Sequence, residues 1–382
     1  MKWIFWGSAA VVAYTYAGYA GWLWLCKHWR LRPVRRAPFT PRVSLVMVVR
    51  NEAEIVERKL QNLMQLNYPQ DLLEIIVVSD GSTDATNDIL SAWSGQHASD
   101  QAITNFEFRE LLRPDARGKA ACVNDAVAAA TGEIVVFTDA RQRIERDSLR
   151  LLVENFADPY VGCASGELML GDPESGESVK GMGLYWRIEK NIRELESSSG
   201  SVVGATGALY AARRSLIVAL PPETILDDVY IPMHVARQGL RVILDSRAVA
   251  WDLPDLGASR EFARKVRTLS GNYQLIQLAP WILTASNPLR FEFVSHKLLR
   301  LAAPLALAGV LFSSMLLPQP VYRIAFILQL GFYTLSLLAI ARIKRGPIAR
   351  LADASLTFVM LNTAALVAFT NFVTGKKAVW IR

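Results

Sequence analysis

The chain predicts an α/β domain with a parallel-type sheet, held against a bilayer by transmembrane helices. Three observations predict this. Its 382 residues are 52% hydrophobic, above the usual apolar share of about 45–50% even with glycine left out. The excess is uneven: no charged residue occurs at 3–25, 301–322, 324–341 or 354–375, while the stretch between has ordinary charge density. Within that stretch, short apolar runs alternate with amphipathic ones, the order expected of a parallel sheet covered by helices on both faces. Disorder, a collagen-like fibre and a small disulfide scaffold are excluded. Cys26, Cys122 and Cys163 are far apart and form no CxxC pair; they carry no zinc or redox signal and fit a reducing compartment.

At the amino terminus, Trp3 to Leu25 is long enough to span, since about 20 apolar residues cross a hydrocarbon core of roughly 30 Å. Trp3, Trp6, Trp22 and Trp24 stand at its ends, as an interfacial belt requires. A cleaved signal peptide is the competing reading, which the length of the run and the basic block after it disfavour. That block, Lys27, Arg30, Arg32, Arg35, Arg36 and Arg42, contains no acid and outweighs Lys2, so the residues after Leu25 are expected in the cytosol.

Ser44–Val49 is a continuous buried-strand pattern, and Glu52–Leu66 repeats apolar residues at helical spacing before Tyr68-Pro69 stops it. A second strand, Glu74–Ser79, leads into Asp80-Gly81-Ser82-Thr83-Asp84 and a helix to about Trp93; a third strand covers Asn105–Leu111. Gly118–Ala130 is an alanine-rich helix, and a fourth strand, Glu133–Thr138, ends at Asp139. Leu275–Ala285 is apolar over half a span, suited either to the membrane interface or to a buried core. Further spans are expected near 300–317, 321–341 and 352–374. Pro318-Gln319-Pro320 forms an external turn between the first two, and Arg342, Lys344, Arg345 and Arg350 mark a cytosolic return. The implied organisation is an anchor at 1–30, a cytosolic domain at 36–290 and a membrane region at 297–382. The net charge of +7 is accounted for by the membrane flanks, so no nucleic acid is expected as a partner.

Ligands of such sheets sit beyond the carboxyl ends of the strands, at a switch in strand order. Arg50-Asn51-Glu52, Asp80 with Asp84, and Asp139 all fall at such ends. Each alone serves equally well as a turn or a helix cap; their shared edge favours a site. The four histidines show no ligand spacing.

These residues resemble the glycosyltransferase family 2 pattern over most of 41–271. The resemblance is carried by Pro41 through Glu52, by Asn67-Tyr68-Pro69 with Glu74 to Asp84, and by Arg117-Gly118-Lys119 with Asn124. It continues in Phe137-Thr138-Asp139-Ala140, Gly204 to Arg213 and Leu226-Asp227-Asp228. With the late spans, the chain looks like the integral-membrane branch that includes cellulose, chitin and hyaluronan synthases. The resemblance implies a GT-A fold binding a nucleotide sugar, UDP-linked by expectation, through Arg50, Asn51, Glu52, Asp80, Lys119 and Asp139. It further implies a divalent metal (Mg or Mn) on Asp139, a catalytic base at Asp228 or its neighbour Asp227, and an acceptor site near Gly166, Glu167, Thr206 and Gly207. Two departures stand out. The family's Asp-Ala-Asp metal motif reads Asp139-Ala140-Arg141 here, with Gln142 a weak substitute ligand and Arg141 a candidate for phosphate. The family's Gln-x-x-Arg-Trp motif corresponds to Arg264-Lys265-Val266-Arg267-Thr268, without its tryptophan. Arg264 and Arg267 can still clamp a diphosphate, or form a basic face near anionic lipid.

The expectation is an inverting glycosyltransferase at the inner face of the plasma membrane, building a β-linked exopolysaccharide and exporting it. Three or four spans are few for a polymer channel unless a homo-oligomer or an export partner completes it. One-step transfer to a lipid or polyprenyl-phosphate acceptor is the alternative, and a non-catalytic nucleotide-sugar-binding partner of a synthase, motivated by Arg141, is the third reading.

Overall fold

The computed structural model describes residues 1–99, 107–172, 177–178, 184–253, 258–340 and 347–376. The expected strand start at Asn105 and the basic residues Arg342, Lys344 and Arg345 lie outside the described residues.

The strands are β1 (Val43–Val49), β2 (Leu73–Asp80), β3 (Glu107–Arg113), β4 (Ile134–Thr138), β5 (Arg143–Ile144), β6 (Val161–Asp172), β7 (Glu177–Ser178), β8 (Tyr210–Arg213) and β9 (Arg241–Asp252). Their order in the sheet is β3-β2-β1-β4-β8-β6-β9-β5, with β7 on β6. Only β1 to β4 form the expected parallel array. The remainder is mixed, because β8 runs antiparallel to both β4 and β6. Side chains alternate across the parallel part. Val46, Val48, Ile76, Val78, Val135 and Phe137 enter one core, and Leu45, Met47, Val49, Ile75, Val77, Ile134 and Val136 the other. A sheet covered on both faces leaves no polar side, and hence the unbroken apolar runs in the sequence.

The chain runs β1 to β2 to β3 outward, then returns so that β4 pairs with the free side of β1. That is the switch in strand order, and it places the crevice between the ends of β1 and β4. Register then brings a further loop there: Tyr210, the first residue of β8, pairs with Phe137 near the end of β4. Because β8 runs backward, the residues just before it, 204–209, reach the same edge.

Among the described residues, three helices are long and apolar enough to cross a membrane: Arg290–Leu316, Pro320–Ile340 and Ile348–Val373. The first begins ten residues earlier than its lack of charge suggests. Its added turns carry His296 and Arg300, which pair with Glu189 and Glu196 of helix Leu184–Ser199. The amino-terminal helix is continuous over 2–29 through a π turn at Tyr14–Gly18. Its Trp, Tyr and Gly content leaves it outside that group of three, yet it lies along all of them. Phe5 meets Tyr322 edge-on at 4.8 Å, Tyr16 contacts Phe358 at 5.1 Å, and Gly309 approaches Ser8. The apolar stretch 275–285 is not one helix: it is the end of Ala258–Leu278 and a 3₁₀ turn, Pro280–Leu283. Leu275, Ala279 and Ile282 are buried in the domain core, so the core reading holds there. Tyr273, on the same long helix, stacks on Phe372 of the last span at 4.9 Å.

A Cβ on Gly309 would land on the Ser8 hydroxyl and stand 3.2 Å from Ser8 Cβ. Gly309→Val is therefore expected to cost about 1–3 kcal/mol by overpacking, read as an earlier unfolding midpoint in detergent. Adding Ser8→Gly should recover most of the loss; an unchanged midpoint in the single variant would contradict this close crossing.

Candidate functional site

The loops after β1 and β2 are laced together. Asn51, at φ 55°, receives the Thr83 amide on its side chain at 2.8 Å and donates its own amide to Ser82 Oγ at 3.1 Å. Glu52 N donates to Thr86 Oγ1 at 2.9 Å, and Ala53 N to Asp84 Oδ2 at 3.1 Å. Asp80 ends β2 fully buried, and its carboxylate accepts the amides of Arg117 at 2.6 Å and Gly118 at 3.0 Å. This pins the loop that starts helix Lys119–Ala129. Gly81 permits the approach: its φ is +61°, and a Cβ there would stand 2.5 Å from Ala116 N.

At the end of that loop, the Lys119 ammonium donates to Asp139 Oδ1 at 3.0 Å and lies 3.2 Å from Asp227 Oδ1. Asp227 and Asp228 open helix Asp227–Arg237, whose N-terminal dipole favours negative charge. The 204–209 loop closes the site: Ala205 N donates to Asp228 O at 2.7 Å. Asp228 Oδ2 and Asp139 Oδ2 lie 3.5 and 3.6 Å from where a Cβ on Gly207 would stand. A third element supports Asp139 from below. Lys59, buried, donates to Thr138 Oγ1 at 2.9 Å and Gln142 O at 2.6 Å, and Thr138 Oγ1 donates in turn to Ala208 O at 2.9 Å.

Three carboxylates around one cation perturb each other. Burial, with the charge of Asp227, pushes the Asp228 carboxyl up to about 6, against the pull of Lys119. Burial works against the Lys119 charge, but Asp139, Asp227 and Asp228 outweigh it and raise its pKa. Burial brings the Lys59 amine down to about 7, opposed by Asp139. Glu52 is raised by burial, with Arg141 countering.

Residues 44–219 match the family described as Glycosyl transferase family 2. This segment is a family 2 glycosyltransferase domain. A mannosyltransferase from Pyrobaculum calidifontis, solved in complex with GDP-Man and Mn2+, superposes with a TM-score of 0.73 at 26% identity, covering 97% of this chain and 99% of its own. The poly-beta-1,6-N-acetyl-D-glucosamine synthase of Staphylococcus aureus (strain COL) is 23% identical over 61% of this chain and 55% of its own length. The beta-monoglucosyldiacylglycerol synthase of Synechocystis sp. (strain ATCC 27184 / PCC 6803 / Kazusa) is 27% identical over 51% of this chain and 40% of its own. The chain thus spans about half the length of these two synthases.

Within the glycosyltransferase domain, Lys119, Asp139, Asp227, Asp228 and Gly207 converge. Arg50, Asn51 and Glu52 line the adjoining loop, and the Arg50 Nε is buried without a hydrogen-bond partner among the described residues. Asp80 shapes the site from beneath, its oxygens already taken by backbone amides. Gly166 lies inside the sheet, where a Cβ would stand 2.7 Å from Ala248 O; it is a packing glycine. Glu167 pairs with Lys190 at 2.5 Å, and Thr206 N donates to Ser165 Oγ at 3.0 Å. Arg141 and Arg264 are engaged elsewhere. Arg141 Nη2 donates to both oxygens of Asp252 at 3.0 Å, joined there by Gln142 Nε2 at 3.0 Å, while Arg264 pairs with Glu261 and lies 3.9 Å from Asp252. Arg267 makes no hydrogen bond or ion pair with a described residue. Sequence reasoning missed Lys59 and Asp252. A lysine in an amphipathic helix reads as solvated, and Asp252 is 110 residues from its partner Gln142.

For a divalent metal, hard carboxylate oxygens are the appropriate donors. At the notch by Gly207, Asp139 offers such oxygens, and no group of three metal-binding side chains occurs among the described residues. Such a site fits a metal that takes the rest of its shell from substrate phosphates.

Lys59→Met is expected to lower kcat/KM about 10–100-fold, the cost of losing an outer support of a functional carboxylate. The protein should stay folded in circular dichroism; unaltered kinetics would show that the Thr138–Gln142 turn holds Asp139 without Lys59.

Proposed function

We propose that the chain is a nucleotide-sugar-dependent, inverting glycosyltransferase acting at the inner face of the plasma membrane. The convergence of Asp139, Lys119, Asp227 and Asp228 at the carboxyl edge of the sheet carries this reading. The donor lies over the ends of β1 and β4, with Arg50, Asn51, Glu52 and Asp80 shaping the nucleotide pocket and Lys119 facing the diphosphate. Asp139 would hold a Mg or Mn ion, which supplies positive charge to the diphosphate as it leaves. Asp228 takes the proton of the acceptor hydroxyl. The freed oxygen attacks the anomeric carbon opposite the breaking bond to the diphosphate, so an α-linked donor yields a β-linked product. Arg267, unpaired, is the arginine left to meet diphosphate. Residues 1–30 serve as an anchor, 36–290 as the cytosolic domain, and 297–382 as the membrane region of a multi-pass protein.

A membrane-held acceptor is favoured over a growing polysaccharide, because helix Leu184–Ser199 pairs with the first carboxy-terminal span through Glu189 and Glu196 and reaches the loop that bonds Asp228 through Arg193. Polymer extension, with a homo-oligomer or export partner, is the second reading. It draws on the likeness to the poly-beta-1,6-N-acetyl-D-glucosamine synthase. Purified protein screened with labelled nucleotide sugars should release a nucleoside diphosphate and give a discrete lipid-linked product; long polymer would establish the second reading instead.

Asp228→Asn is expected to lower kcat about 10²–10⁴-fold, the usual worth of a positioned base, with donor KM little changed. Asp228 accepts a proton only when ionised, so activity should fall as pH drops through about 6. A rate independent of pH across that value would remove Asp228 from the role. Chelator should abolish turnover and Mn2+ restore it; full activity in chelator would overturn the metal assignment.

A further inference from the structure

Helix Val56–Met64, the turn after it and the strand pair β5–β9 border a cleft of about 600 Å³, within the roughly 300–1,000 Å³ of small-molecule sites. It shares no residue with the cavity at the reaction centre, which is lined by Lys119, Asp139, Gly207 and Asp227. One wall is the carboxyl end of the helix and the following turn, with Asn62, Gln65, Asn67 and Gln70. The other holds Arg143, Arg146 and Trp251. Trp251 stands opposite Arg143 in the β5–β9 register, and such cross-strand neighbours share a face of the sheet. The walls are fixed. Asn62 donates to Ile144 O at 2.9 Å and accepts the Ile144 amide at 2.8 Å, which ties the helix to β5. Asn67 N donates to Arg146 O at 2.7 Å, and its side chain to Asp147 Oδ1 at 2.7 Å. Trp251 Nε1 donates to Glu145 Oε1 at 2.7 Å. Gln65 and Gln70 remain exposed, and their side chains make no hydrogen bond with a described residue. The cleft also borders the turn that carries Asp139. Lys59, one helical turn before Asn62, bonds Gln142 O, and Asp252, next to Trp251, accepts from Arg141 and Gln142.

Resting on the proposed sugar transfer for the source of its ligand, we propose that this cleft is a second saccharide site, which holds a β-linked, uncharged oligosaccharide beside the catalytic turn and apart from the reaction centre. The lining asks for a ligand that both donates and accepts hydrogen bonds at several points. The amides of Gln65 and Gln70 each offer a carbonyl oxygen and an NH2 group, whereas the guanidinium groups of Arg143 and Arg146 only donate. A polyhydroxylated ligand meets both kinds of group; an apolar one would leave them unpaired. Charge argues against a phosphate or a nucleotide. Glu145, in the lining, and Asp147, beside it in the chain, match the two arginines in number. The helix also presents its carboxyl end here, where the dipole is negative and disfavours an anion. Trp251 is half-buried, and its indole combines an apolar face with a polar edge. With the edge turned to Glu145, the face is left to pack on the C–H side of a sugar ring.

Binding to the purified full chain without donor reads the cleft independently of turnover. Calorimetric titration with the β-1,4-linked tetramers of glucose and of N-acetylglucosamine should show binding of at least one. Its Kd should rise about tenfold or more in Gln65→Ala/Gln70→Ala, the scale of two lost hydrogen bonds. It should rise as much in Trp251→Ala, while Trp251→Phe, which keeps a ring, retains most of the affinity. Nucleoside diphosphate affinity should not change in any of these variants, and UDP should not displace the tetramer. The two glutamines are exposed, so their double variant decides the matter if Trp251→Ala fails to fold. Neither tetramer binding, or equal binding in the glutamine variant, would overturn the proposal. So would displacement of the tetramer by UDP, which would place it at the reaction centre, or inorganic phosphate binding more tightly than either tetramer. Donor turnover absent from every nucleotide sugar would instead count against the proposed reaction, with the binding result standing alone.

Discussion

Lys119 makes the site physically tenable. Asp139, Asp227 and Asp228 come from two separate elements and meet within a partly buried volume, where like charges repel strongly. Without a cation among them, one or more would have to protonate or turn outward. Lys119 bonds Asp139 and lies against Asp227, which leaves Asp228 as the acid with the raised pKa. The asymmetry separates the roles: one paired carboxylate at the strand end, one structural acid at the helix start, and one poised acid facing the notch at Gly207.

The rest of the domain keeps this arrangement in register. Asp80 fixes the loop from which Lys119 rises, and Gly81 lets that loop approach closely enough to be fixed. Lys59 holds the turn around Asp139 from inside the core and, through Thr138, touches the loop that carries Gly207. The reversed direction of β8 matters equally. A parallel strand in that position would have entered from the opposite edge of the sheet and left the 204–209 loop away from the carboxylates.

Much of this was legible in the sequence, and for identifiable reasons. The four parallel strands are short apolar runs buried on both faces, so their pattern is local. Asp139 and the Asp227-Asp228 pair also announce themselves, as acids where a strand ends or a helix begins. What escaped is what depends on distant pairing. Nothing local says that Tyr210 sits beside Phe137, so the mixed half of the sheet, with β8 antiparallel to its neighbours, was not read strand by strand. The resemblance puts Asp80 at the nucleotide pocket; what its motif does not show is that its buried carboxylate accepts the amides of Arg117 and Gly118. Arg141 looked like a missing metal ligand or a phosphate contact. Its partner Asp252 closes a different sheet strand, and together they make an ion pair at the rim.

The boundary of the first long span shows the same principle at the membrane. Charge alone placed its start near residue 300, because His296, Lys297 and Arg300 look out of place in hydrocarbon. Burying such groups is costly unless each finds a partner. Glu189 and Glu196 supply partners for His296 and Arg300, and Tyr19 of the amino-terminal helix closes the network on Glu196. Burial disfavours the charged form of Glu196, yet the contacts with His296 and Tyr19 outweigh it and lower its pKa. The amino-terminal helix, the first long span and helix Leu184–Ser199 are thereby tied together by polar contacts that would be expensive to break in a low-dielectric setting. Arg193 extends from the same helix to the loop that touches Asp228. Any tilt of the membrane helices against the domain must therefore either carry the 204–209 loop with it or leave Glu189 and Glu196 buried without their cations.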